Sequence, residues 1–200
     1  MTDHWSVGIL LFDEVEVLDF AGPFEVFSLT EPLRDGDPQP FNVKTISETG
    51  TPVIARHGLI VHPDYGFENA PPFDILIVPG GPGAREREIH NDRLIQWIGD
   101  RAHEVKLLAS VCTGALLLAK TGLLNGKRAT THWASYQRME EEFPEVTVER
   151  GVKFVDEGSL VTSGGISAGI DMSFHIVKRL LGTDIATKTA RRMEYDLIIH

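Results

Sequence analysis

Three stretches carry apolar residues with hardly a polar break: Trp5–Phe12, Phe73–Val78 and Val105–Val111. Short unbroken apolar runs of this kind are strands covered on both faces, the mark of a parallel sheet. Between and after them the pattern changes to helical spacing. Val17, Phe20, Phe24 and Phe27 share one face of a helix in which Pro23 predicts a kink or a late start. Residues 91–104 open on a capping Asn or Asp and read as a helix, as do 114–124, 134–143, 166–182 and 184–196. In the helix over 166–182, Ile166, Ile170, Phe174, Val177 and Leu181 line one face. Residues 41–47 and 59–63 read as strands of an outlying hairpin, 128–133 as a short strand, and 154–165 as a hairpin ending in Gly-Gly. Residues 31–40 are a polar loop. Strands interleaved with helices, without repeats or a linker, predict one three-layer α/β/α domain over residues 1–200.

Composition narrows the function classes. A formal charge of −10 argues against a nucleic-acid or anionic-membrane partner. No apolar run approaches the roughly 18 residues of a membrane span, and the N-terminus lacks a basic segment before an apolar one. A single cysteine, Cys112, cannot close an intramolecular disulfide, so a reducing, cytoplasmic compartment is expected.

Three breaks fall where apolar strands end: Pro79-Gly80-Gly81, Cys112-Thr113-Gly114 and Ser163-Gly164-Gly165. Ligands of parallel sheets bind beyond such carboxyl ends. Cys112 sits between a strand and a helix, as Ser110-x-Cys112-x-Gly114. A tight turn there can push a side chain out of the sheet as a nucleophile. A helix N-terminus would lower the thiol pKa, and free N–H groups at Thr113 would bind a developing anion. A lone cysteine is otherwise most often a buried core residue. The turn and the two Gly-Gly breaks weigh toward the nucleophile.

Asp19 stands between Leu18 and Phe20, so a partly buried acid is expected. Burial raises a carboxyl pKa and suits an acid–base role. A helix-capping aspartate is the plainer reading of the residue alone. Glu16 reads as a solvated neighbour and His132 as structural. Asp171, near a helix start, is explained by the helix dipole. His57, His62, His90, His103 and His175 show no ligand spacing, so no metal is expected. Gly164-Gly165-x-x-x-Gly169 could bind an anion but reads better as a loop packing closely over the cysteine.

The motifs VCTGALLLAKTGLLNGKRATTHW, LDFAGPFEVF, LIVPGGPG and TSGGISAGID together resemble the DJ-1/PfpI superfamily, within it most closely the isonitrile hydratase branch. The resemblance runs from the first strand to the last helix. It implies a flavodoxin-like sheet, a cysteine nucleophile elbow, a homodimer, a small-molecule substrate and no cofactor. It assigns Cys112 as nucleophile and Asp19, in its Leu-Asp-x-x-Gly-Pro motif, as general acid/base. Thr113 becomes a polar and oxyanion-site residue, Gly81 a second backbone donor, and Gly80, Gly165 and Ile166 pocket residues. Many members carry His after the cysteine; Thr113 cannot be a base near neutral pH, which argues against peptidase activity. The implied reaction hydrates an isonitrile to an N-substituted formamide. A glyoxalase or deglycase, and a ligand- or redox-sensing domain like the front half of AraC-like regulators, are the alternatives.

Overall fold

The computed structural model describes residues 4–34 and 36–197. Met1–Asp3, where the leader reading began, lie outside the described residues, as do Asp35 in the polar loop and residues 198–200. In chain order the elements are β1 (Trp5–Leu10), α1 (Val17–Leu29), β2 (Phe41–Ser47), β3 (Val53–Ile54), β4 (Ile60–Val61), β5 (Tyr65–Gly66), β6 (Ile75–Val78), α2 (Pro82–Glu86) and α3 (Asp92–Ala102). There follow β7 (Leu107–Val111), α4 (Gly114–Lys120), β8 (Arg128–Ala129), α5 (Tyr136–Glu142), β9 (Thr147–Val148), β10 (Phe154–Asp156), β11 (Leu160–Ser163), α6 (Ala168–Leu181) and α7 (Thr183–Arg192).

The fold is α/β with a mainly parallel central sheet in the order β10-β11-β7-β6-β1-β2-β5. Only β10 runs antiparallel, paired with β11 as the expected terminal hairpin. Every residue of β6 and β7 is buried, because helices cover both faces. Helices α1, α6 and α7 pack together, and α2, α3 and α4 form a second group. Helix α4 is apolar all round and buried from Gly114 to Ala119, so it crosses the interior and not the surface. Each of its three buried leucines, Leu116, Leu117 and Leu118, contributes about 1.5–3 kcal/mol by leaving water.

Several expectations change. β2 does not pair with residues 59–63; it lies parallel to β1 in the central sheet. The outlying hairpin is instead β3 with β4, where Ile54 faces Ile60. The short strand at residues 128–133 contributes only β8, which pairs with β9 outside the central sheet. Helix α1 starts at Val17, ahead of Pro23, and continues through it. Its buried stripe is Asp19, Phe20, Gly22, Pro23, Val26 and Phe27, which rotates Phe24 to the edge, where it is exposed. Ile166 precedes α6 and is exposed. Asn91 caps α3 as expected, its Oδ1 accepting from Leu94 N–H at 3.3 Å.

The chain leaves β1 toward β2 and β5, then crosses back to β6, β7 and β11. The order therefore reverses between β1 and β6, and a crevice opens there at the carboxyl ends. Gly114 lets the start of α4 approach the end of β6. A Cβ at that position would lie 2.1 Å from the Val78 carbonyl oxygen, a backbone atom that cannot swing aside. Gly114→Ala should lower stability by about 1–3 kcal/mol in urea unfolding, the usual range for overpacking a rigid site. A variant as stable as the parent would show that the two segments are free to separate.

Candidate active site

Cys112 follows β7 directly and has a φ of +57°, the left-handed region that side chains other than glycine rarely adopt. Its N–H donates to the carbonyls of Ser163 at 3.2 Å and Gly164 at 3.1 Å, continuing the parallel β7–β11 ladder past its end. Its own carbonyl accepts from Thr131 Oγ1 at 2.9 Å. Bonds on both sides of the residue thus hold a backbone conformation that costs about 1–3 kcal/mol. The turn sends the side chain toward the crevice, where it is 6% exposed.

Asp19 lies in the first turn of α1 and is fully buried. It does not cap its own helix. Its Oδ2 accepts from Gly80 N–H at 3.0 Å, while its Oδ1 is buried without a hydrogen-bond partner. Burial is the main cause that raises its pKa to about 7; the Glu16 charge adds to it. The Gly80 N–H works in the other direction, as do the Cys112 thiol and the Ile166 N–H nearby. The thiol is pushed up to about 12, chiefly by burial and then by the adjacent Asp19 charge. The N–H and hydroxyl of Thr113 lower it, but less. The expectation that a helix N-terminus leaves a low-pKa thiol is therefore overturned. Helix α4 starts too deep in the core, and too near a carboxyl, for its dipole to prevail.

Thr113 is 1% exposed. Its Oγ1 accepts from Gly81 N–H at 2.9 Å and stands 3.3 Å from the Gly81 carbonyl, to which it donates. The hydroxyl staples the Pro-Gly-Gly loop to the elbow. The Gly81 N–H, expected as a free oxyanion donor, is thus already occupied. So is the Gly80 N–H, which orients Asp19. Of the expected donors, the Thr113 N–H is the one that faces the sulphur.

His132 lies across Gly165. A Cβ on that glycine would sit 2.1 Å from the His132 Cδ2, so the ring's position requires glycine there. The His132 Nδ1 accepts from Ala134 N–H at 3.3 Å. Burial, and then the Arg85 charge, lower its proton affinity, with Glu16 opposing them. Glu16 is not solvated; its side chain is 15% exposed and receives Arg56 Nη1 at 2.8 Å. Asp171 pairs with Lys153 Nζ at 2.8 Å, a closer partner than the helix dipole. His175 pairs with Asp156 at 2.6 Å on the β10 edge of the sheet, away from the cysteine.

The structure brings together Cys112, Asp19, Thr113, Gly80, Gly81, Gly165 and Ile166, four of them on the loops after β6 and β11. Sequence reasoning missed Thr131, Arg56 and Arg85. Only Thr131 carried a signal, lying beside the singled-out His132. Among the described residues no group of three or more His, Cys, Asp or Glu is placed to hold a metal ion, and no helix is long and apolar enough to cross a membrane.

Comparison with known proteins identifies the family and the fold. An isonitrile hydratase of Pseudomonas putida is 35% identical over 190 residues, which are 95% of this chain and 78% of that protein. The HTH-type transcriptional regulator GbdR of Pseudomonas aeruginosa is 32% identical over 193 residues, or 96% of this chain. This chain spans 51% of that regulator. The crystal structure of a ThiJ/PfpI family protein from Pseudomonas syringae has a TM-score of 0.82 over 98% of this chain and 77% of that one, at 24% identity. The sequence model of the DJ-1/PfpI family matches residues 5–179. With the cysteine elbow and the Pro-Gly-Gly loop where that match runs, the chain belongs to the DJ-1/PfpI family.

Proposed function

We propose that the chain hydrates an isonitrile, R–N≡C, to an N-substituted formamide. The observation that carries the reading is the sealed pairing of a left-handed Cys112 with a carboxyl whose pKa is raised to about 7 and whose Oδ1 has no partner. The 35% identity to an isonitrile hydratase supports the choice of electrophile.

Above its pKa, Asp19 is a carboxylate beside a neutral thiol, and the pair shares one proton. As the sulphur attacks the terminal isonitrile carbon, the thiol proton passes to Asp19. Asp19 then delivers it to that carbon, giving a thioimidate, R–N=CH–S. Water adds to the same carbon, and its proton reaches the nitrogen through Asp19. The new hydroxyl loses its proton as the C–S bond breaks. The sulphur regains a proton, and R–NH–CHO leaves. One difficult addition becomes two easier ones. Gly80 orients the acid, the Thr113 N–H steadies charge at the sulphur, and Gly165 and Ile166 close the pocket. The cycle uses a small-molecule substrate and no redox cofactor. We also read the protein as a cytoplasmic homodimer; the exposed Ile54, Leu59 and Ile60 on the β3–β4 hairpin support a covered face there. A second reading, a ligand-sensing domain, is favoured by the 32% identity to a regulator about twice this chain's length.

Cys112→Ala should abolish formamide production from cyclohexyl isocyanide while circular dichroism shows an intact fold. Turnover at the parent rate would end the thioimidate scheme. Methylglyoxal consumed in place of the isocyanide would favour a deglycase, and neither consumed would favour the sensor. In the active protein, kcat/KM should rise through about pH 7, as Asp19 loses its proton, and then level off.

The same raised pKa costs stability. Below pH 3.8 Asp19 is protonated whether folded or not. As pH rises to about 7, only the unfolded chain releases the proton, so folding weakens by up to about 4 kcal/mol. Asp19→Asn keeps an acceptor for Gly80 without the charge. Urea unfolding should show the variant more stable than the parent at pH 8, with the difference gone near pH 4. An Asn variant less stable at pH 8 would contradict this account.

A further inference from the structure

Glu16 carries the charge nearest Asp19 on its own helix, and it is fixed on several sides. Its N–H donates to the Gly80 carbonyl at 2.9 Å, and its carbonyl accepts from Asp19 N–H at 3.1 Å. Its backbone is therefore tied to the site on both sides. Arg56 comes from a distant part of the chain, the turn between β3 and β4. Three bonds seat that hairpin along the loop before α1: Glu14 N–H to Ile54 O at 2.8 Å, Ile54 N–H to Asp13 Oδ1 at 2.8 Å, and Arg56 N–H to Val15 O at 2.9 Å. Together they deliver the guanidinium to Glu16 Oε2 at 2.8 Å.

We propose that Arg56 is a positioning residue of the thiol–carboxyl site, neutralising Glu16 one helical turn from Asp19 and so setting the pH at which Cys112 becomes reactive. The inference rests on Cys112 and Asp19 acting as a pair, not on the isonitrile as substrate.

The charges facing Asp19 are few. Glu16 supplies the one neighbouring charge; the Cys112 thiol faces Asp19 from the elbow, the Gly80 N–H from the loop after β6, and the Ile166 N–H from the loop before α6. His132, before α5, feels both the Glu16 charge and that of Arg85 on α2; burial and Arg85 lower its proton affinity and Glu16 opposes them. A bare Glu16 carboxylate would hold the proton on Asp19 to higher pH. A bare Arg56 would release it sooner. Each partner's removal thus moves the site in opposite directions.

The rate of Cys112 alkylation by iodoacetamide, followed from about pH 5.5 to 9.5, tests this without any isonitrile. The parent should show an inflection near pH 7, where Asp19 becomes a base for the thiol. Arg56→Gln should move it up by about half a pH unit and Glu16→Gln down by a similar amount. The double variant should return toward the parent, and Arg56→Lys should keep the parent's inflection. A parent without an inflection, or variants that lose rate equally at every pH, would overturn the proposal. Shifts as expected in a protein that leaves cyclohexyl isocyanide untouched would keep this inference and remove the hydratase reading.

Discussion

The left-handed backbone of Cys112 is the constraint on which the rest of the site depends. Its N–H reaches the Ser163 and Gly164 carbonyls only because β7 and β11 are parallel neighbours in register up to Val111 and Ser163. Its carbonyl reaches Thr131 only because the segment after β8 folds beneath the elbow. Removing either support would let the residue relax to an ordinary conformation and withdraw the sulphur from the crevice. The fold supplies its strain from the sheet, and the sheet is the most buried and least deformable part of the molecule.

Around that point the site is assembled by backbone amides more than by side chains. Gly80 N–H takes the Asp19 carboxyl, Gly81 N–H takes the Thr113 hydroxyl, and Gly80 O takes Glu16 N–H. The Pro-Gly-Gly loop is thus bound at three consecutive groups, which ties the ends of β1, β6 and β7 into one rigid mouth. A carboxyl and a thiol buried side by side in such a frame are coupled: the carboxyl raises the thiol's proton affinity, while the thiol's hydrogen bond lowers the carboxyl's.

Much of this was legible in the residues. The unbroken apolar runs announced a sheet covered on both faces, and the three breaks at their ends marked the crevice. The Ser110-x-Cys112-x-Gly114 spacing fits the elbow now seen, and Asp19's apolar neighbours foretold its burial. Periodicity could not place β2, because a strand on the flank of a sheet and one in a hairpin have the same alternation. Nor could it show that the Gly81 N–H is occupied, since a neighbour 32 positions away decides that. Glu16 looked solvated for the same reason: its partner Arg56 is distant in sequence and arrives on a hairpin set by backbone bonds. The thiol's proton affinity went the wrong way because local reasoning counted the helix dipole and not the depth at which that helix begins.

Pro23 inside α1 has a bearing on the acid that neither burial nor charge describes. A proline has no N–H to offer the carbonyl four residues earlier, and here that carbonyl belongs to Asp19. The rung of the helical ladder that would fasten Asp19's own peptide group to the following turn is therefore missing by covalent structure. The turn bearing the acid is held instead by Gly80 and Glu16, groups of the crevice itself. Asp19 is mechanically more a part of the mouth than of its helix.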